Sequence, residues 1–365
     1  MKRFNRMSAL GLALTIGLIA CTDATGPDDA PFSPVGAAAD LLVVDGAFDS
    51  DIFVSLAESS TIFNSINGGP LPSAALIDAG WNLALADGPW EVERAGQRLA
   101  RAVSAGSPAL NLIPEDRRGK TYERGAEGGY YHDTENVRTG APDNGIRFIL
   151  YEVNPVTHDI GQTEIGWVDV LDESTDLSRV ARVIVVSDGV EYINYTVSKS
   201  RVDGAFTFAV AGFFGNGTDQ VDMDLSLTFV NTDLESTVTV DYMIEIVSRG
   251  FLMDATMVLV VDHETEVASS TIEVSFQQGL HTVEVTGGIE TNELGESGTI
   301  EIMVDTQLFA TITVDGETIT VVGHDGEALS GDHAQAVRHI FRRVENLFDE
   351  KFEHFVRPVS WLFDF

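Results

Sequence analysis

Between Val221 and Ile246 apolar and polar residues alternate almost without error. Val221, Met223, Leu225, Leu227 and Phe229 fall on one side of an extended chain, with Asp222, Asp224, Ser226 and Thr228 on the other. Val238, Val240, Tyr242, Ile244 and Ile246 repeat the pattern against Thr237, Thr239, Asp241 and Glu245. Successive side chains of a strand point to opposite faces, so strict period two predicts an antiparallel sheet, dry on one face and wet on the other. A helix has no use for this pattern, because 3.6 residues per turn would scatter the apolar set around its axis.

The same grammar recurs at Ile146–Val153, Thr163–Leu171, Arg179–Ser187, Val190–Ser198, Ser270–Phe276, Thr299–Val304 and Gln307–Val314. Asp188-Gly189, Asp203-Gly204 and Asp315-Gly316 supply two-residue hairpin signals between such runs. Residues 145–323 therefore read as one antiparallel meander of about a dozen strands.

The flanks read differently. Residues 41–106 carry helical signals between breakers, with Ser73–Ala86 and Trp90–Ser104 the clearest stretches. Residues 107–144 are rich in Gly and Pro and read as irregular. In residues 324–365, Val337, Ile340, Phe341, Val344, Leu347, Phe348, Phe352 and Phe355 recur at three- and four-residue steps, predicting a long amphipathic helix that Pro358 stops. At ~4.8 Å per strand, a dozen strands would form a flat sheet ~60 Å wide, whereas a helix is only ~10–12 Å across. The expected fold is thus mainly β (α+β): a large antiparallel meander with one apolar face, rolled or half-barrel, packed on N-terminal helices and one long C-terminal helix. Residues 41–365 are expected to form one domain.

Composition narrows the partners. The 365 residues hold 57 Asp and Glu against 22 Lys and Arg, a formal charge of −35. From Ala205 to Thr306 there are 18 acidic residues and a single basic one, Arg249. Such a surface repels nucleic acid and anionic lipid headgroups, so both are poor partners, and no nucleic-acid partner is expected.

The first residues carry Lys2, Arg3 and Arg6, an uncharged run from Met7 to Ala20, and then Cys21, the only cysteine. A basic start, a short apolar run and a small-residue cut site make a secretory signal, and the run falls short of the ~20 residues that span a bilayer. Leu18-Ile19-Ala20-Cys21 resembles the lipobox of bacterial lipoproteins. That resemblance, confined to residues 1–21, implies cleavage of residues 1–20, diacylation of Cys21 and attachment to the cell envelope. Thr22, in place of Asp, favours the outer membrane in a diderm organism by that family's sorting rule. Residues 21–40, rich in Pro, Gly, Asp and Ala, read as a flexible tether. At fold level only, a sheet rolled around helices resembles the LolA/LolB-like half-barrel carriers, which implies an apolar ligand.

Chemistry is sparse. G-x-S-x-G, H-E-x-x-H, P-loop and EF-hand motifs are absent. His324-Asp325 with Asp332-His333 is the best local metal-ligand cluster, read against a turn at Asp325-Gly326 and a helix start at Asp332. His263-Glu264 reads as a solvated turn. Phe206, Phe208 and Phe214 are candidates to line an apolar site, and Tyr130 and Tyr131 to contact a ligand, with core packing and loop pinning as the competing readings. The expected protein is a non-enzymatic, acylated envelope lipoprotein without cofactor, binding a lipid or other apolar molecule or acting as a structural or interaction module. The alternative is a hydrolase or metal-dependent enzyme using the His324/Asp332/His333 region.

Overall fold

The computed structural model describes residues 46–63, 112–125, 128–135, 137–265, 267–278, 281–292, 295–316, 318–329, 331, 355, 357–359, 362 and 363. The expectations for Cys21, the tether, Ser73–Ala86, Trp90–Ser104, Asp332, His333 and most of the C-terminal helix lie outside these residues.

The protein is mainly β. Its strands are β1 (Lys120–Arg124), β2 (Tyr130–Tyr131), β3 (Gly145–Val153), β4 (Ile160–Asp172), β5 (Ser178–Ser187), β6 (Val190–Val202), β7 (Ala205–Gly215) and β8 (Gln220–Asn231). They continue as β9 (Glu235–Ile246), β10 (Phe251–Asp262), β11 (Ala268–Gln278), β12 (His281–Asn292), β13 (Gly295–Val304), β14 (Gln307–Asp315) and β15 (Thr318–Gly323). Among the described residues the α-helix α1 (Asp51–Phe63) precedes them. The strands form one open sheet in the order β15 to β3, then β1 and β2, so each strand from β3 onward lies beside its sequence neighbour. The sheet does not close into a barrel. The pairing is mostly antiparallel, and β1 is parallel to β3. Residues 120–124 and 130–131 are thus strands within the segment read as irregular.

Turn chemistry sets the registers. Asp188 and Gly189 have φ of 50° and 76°, and Asp203 and Gly204 have 49° and 85°. Two left-handed residues in succession twist a hairpin the way its strands already twist. Asp305 and Thr306 do the same at 48° and 68° without a glycine. In the last hairpin Asp315 is itself a strand residue paired with Thr318, and the left-handed Gly316, with φ of 61°, follows it. Helical residues also continue through Pro358 to Val359, where the sequence predicted a stop. Proline's fixed φ suits a helix, and what it lacks is the N–H.

The chain divides into two compact units, with the boundary inside β8 between Leu225 and Ser226. In the unit holding residues 46–63, 112–225 and 355–363, α1 packs on β3 and β4. Ser50 Oγ accepts from the Phe53 N–H at 3.3 Å and caps α1, and Asp51 places a negative charge in its first turn. Its Ile52, Phe53, Leu56 and Phe63 are buried, as are Phe148, Leu150, Val168 and Val183 on β3, β4 and β5, and Phe63 stacks on Phe148 at 4.1 Å. Ser55, also buried, donates to the Tyr151 carbonyl at 2.8 Å, satisfying its hydroxyl.

In the unit beginning at Ser226, the inward set of Val238, Val240, Ile244, Ile246, Met253, Val274, Phe276, Val285, Ile300 and Ile312 is buried. The opposite face is a checkerboard. Thr256 stands opposite both Asp241 and Glu273, and Thr286 opposite both Glu273 and Glu301. Asp254 and Glu284 stand opposite Ser275. No two of these five acids are directly opposed, which avoids the least favourable cross-strand pairing. Thr256 donates to Asp241 Oδ1 at 2.9 Å and Ser226 to Oδ2 at 3.3 Å.

Candidate functional site

The candidate apolar face belongs to the first of these units, on β5, β6 and β7. Register follows directly from the hairpin turns. Ile193, Tyr195, Val197, Lys199 and Arg201 of β6 stand opposite Phe214, Gly212, Val210, Phe208 and Phe206 of β7. On β5, Arg179, Ala181, Val183 and Val185 stand opposite Lys199, Val197, Tyr195 and Ile193. All these residues share one parity and hence one face. Gly212, with φ of 147°, lets the strands approach, since a Cβ there would collide with the Asn194 carbonyl and Tyr195.

The three phenylalanines singled out in the sequence are all buried on this face. Phe214 belongs to an aromatic cluster with Phe48 at 4.6 Å, Phe355 at 5.1 Å and Phe53 at 6.0 Å between ring centroids. The Tyr195 ring meets Phe355 edge-on at 5.3 Å, and its hydroxyl donates to the Phe355 carbonyl at 2.7 Å. Burial holds the Tyr195 phenol well above its ordinary pKa. Phe206 and Phe208 lie toward the Asp203-Gly204 turn, where the face changes character. There Arg179 and Lys199 are directly opposite one another, Lys199 is opposite Phe208, and Arg201 is opposite Phe206. The Lys199 ammonium lies 6.0 Å from the Phe206 ring centroid. An apolar strip therefore ends in a rim of three cations.

The two tyrosines separate. Tyr130 is buried, donates to the Ile149 carbonyl at 2.6 Å and meets Phe148 edge-on at 5.1 Å, while Phe63 stacks on Phe148 at 4.1 Å. Burial raises its phenol pKa too. Tyr131 is 46% exposed, and the Glu123 carboxylate raises its pKa. Arg138 binds that carboxylate at 2.8 Å and Glu164 at 2.6 Å, and its hydrogen bond holds the Glu164 carboxyl below the usual range. Tyr130 and Tyr131 thus do not face a common space.

Among the described residues, no three His, Cys, Asp or Glu side chains come together as a metal site. The His324 N–H donates to the Phe309 carbonyl at 3.1 Å, and Asp325 Oδ1 accepts from the Glu327 N–H at 3.0 Å, forming the turn that follows β15. His263, read as a solvated turn residue, has its Nε2 2.9 Å from Ser236 Oγ, which donates to Asn231 Oδ1 at 2.7 Å.

Sequence reasoning passed over Arg179, Lys199 and Arg201. The signal was present, because Lys199 and Arg201 extend the odd-numbered series Ile193, Tyr195, Val197 onto the inward face. Fold and site together define a mainly β protein with an open antiparallel sheet. Compared with known proteins, the chain matches no family model, no curated protein and no solved structure.

Proposed function

We propose that the protein is a lipid-anchored envelope lipoprotein that works by binding an apolar ligand, its sheet rolled against helices in the manner of a half-barrel. The observation that carries this reading is the strip of Phe206, Phe208, Val210 and Phe214 on one face of β7, continued by Tyr195 and Val197 on β6. A hydrocarbon ligand is the chemistry such a strip would match, and holding one needs no catalytic group. The sequence Leu18-Ile19-Ala20-Cys21 supports the anchor. Among the described residues no helix is long and apolar enough to cross a membrane.

Two measurements test the two halves. Intact mass of the chain expressed in a diderm bacterium is expected to fit a product beginning at Cys21 with a diacylglyceryl adduct, and Cys21→Ser is expected to lack the adduct. The Cys21→Ser chain, purified without detergent and extracted into organic solvent, is expected to release about one equivalent of a lipid or other apolar molecule. An extract matching that of an unrelated acidic protein handled identically would refute ligand carriage.

A further inference from the structure

We infer that Asn216 is a site of spontaneous covalent modification, losing its side-chain amide through a cyclic imide formed with Gly217 and leaving aspartate or isoaspartate in the turn between β7 and β8. The chain holds three Asn-Gly dipeptides, Asn67-Gly68, Asn144-Gly145 and Asn216-Gly217, and the first lies outside the described residues. A following glycine matters because a residue without a Cβ leaves its backbone nitrogen open to close approach. The step is attack of the Gly217 nitrogen on Asn216 Cγ. The N–Cγ bond forms, the Cγ–Nδ2 bond breaks, and ammonia leaves with the proton of that nitrogen. Water then opens the imide at either carbonyl, giving a new carboxylate and, in isoaspartate, a methylene added to the main chain.

The two described dipeptides differ in what the fold does to each reacting atom. Asn216 Oδ1 accepts from the Thr218 and Asp219 N–H groups, at 2.9 Å each. Donors on a carbonyl oxygen draw charge toward it and hold the oxyanion that forms when its carbon is attacked. Among the described residues no hydrogen bond engages the Gly217 N–H or Asn216 Nδ2, and Gly217 is exposed. Nucleophile and leaving group are thus both unencumbered. At the other dipeptide the Gly145 N–H donates to the Pro142 carbonyl at 3.0 Å, and Asn144 Nδ2 donates to the Asp172 carbonyl at 3.2 Å. Gly145 is also buried, paired with Leu171 in the sheet. Exposure of the asparagines alone ranks them the other way, since Asn144 is exposed and Asn216 half-buried. The fold fixes the reactive pair in place as well. Gly217 has φ of 88°, where side chains are rarely found, and a Cβ there would lie 3.2 Å from the Tyr192 ring, while Asn216 supplies the turn's acceptor.

The test incubates the full chain carrying Cys21→Ser in mildly alkaline buffer, once folded and once in urea. Peptide mass spectrometry follows each dipeptide, and electron-transfer fragmentation separates aspartate from isoaspartate. Heavy-oxygen water marks the conversions made during incubation, because opening of the imide places a solvent oxygen in the new carboxylate. In the folded chain Asn216 is expected to convert about tenfold faster than Asn144, whose glycine must first give up a hydrogen bond and its burial. In urea the two rates are expected to converge, which assigns the difference to the fold. Equal rates in the folded chain, a faster Asn144, or an Asn216 that converts in urea and stays intact when folded would overturn the inference.

Discussion

Asp172 closes β4 and organises what surrounds it. Its carboxylate, only 4% exposed, accepts from Arg118 and from the backbone N–H groups of Leu112, Ile113 and Ser174. Removing it leaves those donors and a partly buried guanidinium unpaired, whereas removing Arg118 leaves the carboxylate with its backbone donors. Asp172→Ala is therefore expected to cost about 2–4 kcal/mol of stability, and Arg118→Ala clearly less. Urea unfolding of the two variants decides it, and equal losses would contradict the asymmetry. The buried tyrosines make a second statement at this scale. Tyr130 and Tyr195 both have phenol pKa values raised by burial above the ordinary 10.0. The unfolded chain loses those protons first, so their contribution is complete below pH 10 and is lost as pH rises past it. Absorbance at 295 nm during alkaline titration is expected to show exposed tyrosines ionising first, with Tyr130 and Tyr195 following only as the chain unfolds. Smooth titration of all seven tyrosines in a native fold would sink that expectation.

Hairpins show why some elements were legible in the sequence and others were not. Asp188-Gly189 and Asp203-Gly204 announce two left-handed residues, and the strands on either side alternate cleanly. Asp305-Thr306 makes the same turn with a β-branched residue at φ 68°, a backbone region that threonine resists. Thr306→Gly is expected to raise stability by about 0.5–1 kcal/mol, read as a higher urea midpoint at unchanged slope, and a lower midpoint would show that the threonine side chain matters more than its strain. β10 hides its period, because Met257, Val258, Leu259, Val260 and Val261 are apolar without a break. β12 carries Gly287-Gly288 where alternation would show. β1 and β2 are too short for any period, and β2 is held by the Tyr130 hydroxyl and by pairing to β1, both tertiary facts. The same holds for the candidate site. Parity alone places Lys199 and Arg201 beside Val197, yet Tyr195 reaching the Phe355 carbonyl 160 residues away leaves no local trace.

At the scale of the whole molecule, electrostatics oppose the fold more than they support it. A formal charge of −35 is spread so that Arg249 is the only basic residue between Ala205 and Thr306. On β9–β13 the acids Asp241, Asp254, Glu273, Glu284 and Glu301 run diagonally from strand to strand, with Thr and Ser opposite them. Diagonal neighbours lie roughly 7–8 Å apart, inside the ~30 Å screening length of 0.01 M salt and comparable with the ~8 Å length at 0.15 M. Their mutual repulsion is thus nearly unscreened in dilute buffer and much reduced at physiological ionic strength. The melting temperature is expected to rise as sodium chloride is raised from about 10 to about 150 mM, over which the screening length falls roughly fourfold, and Glu273→Gln, which removes the central charge of the zigzag, is expected to reduce the rise.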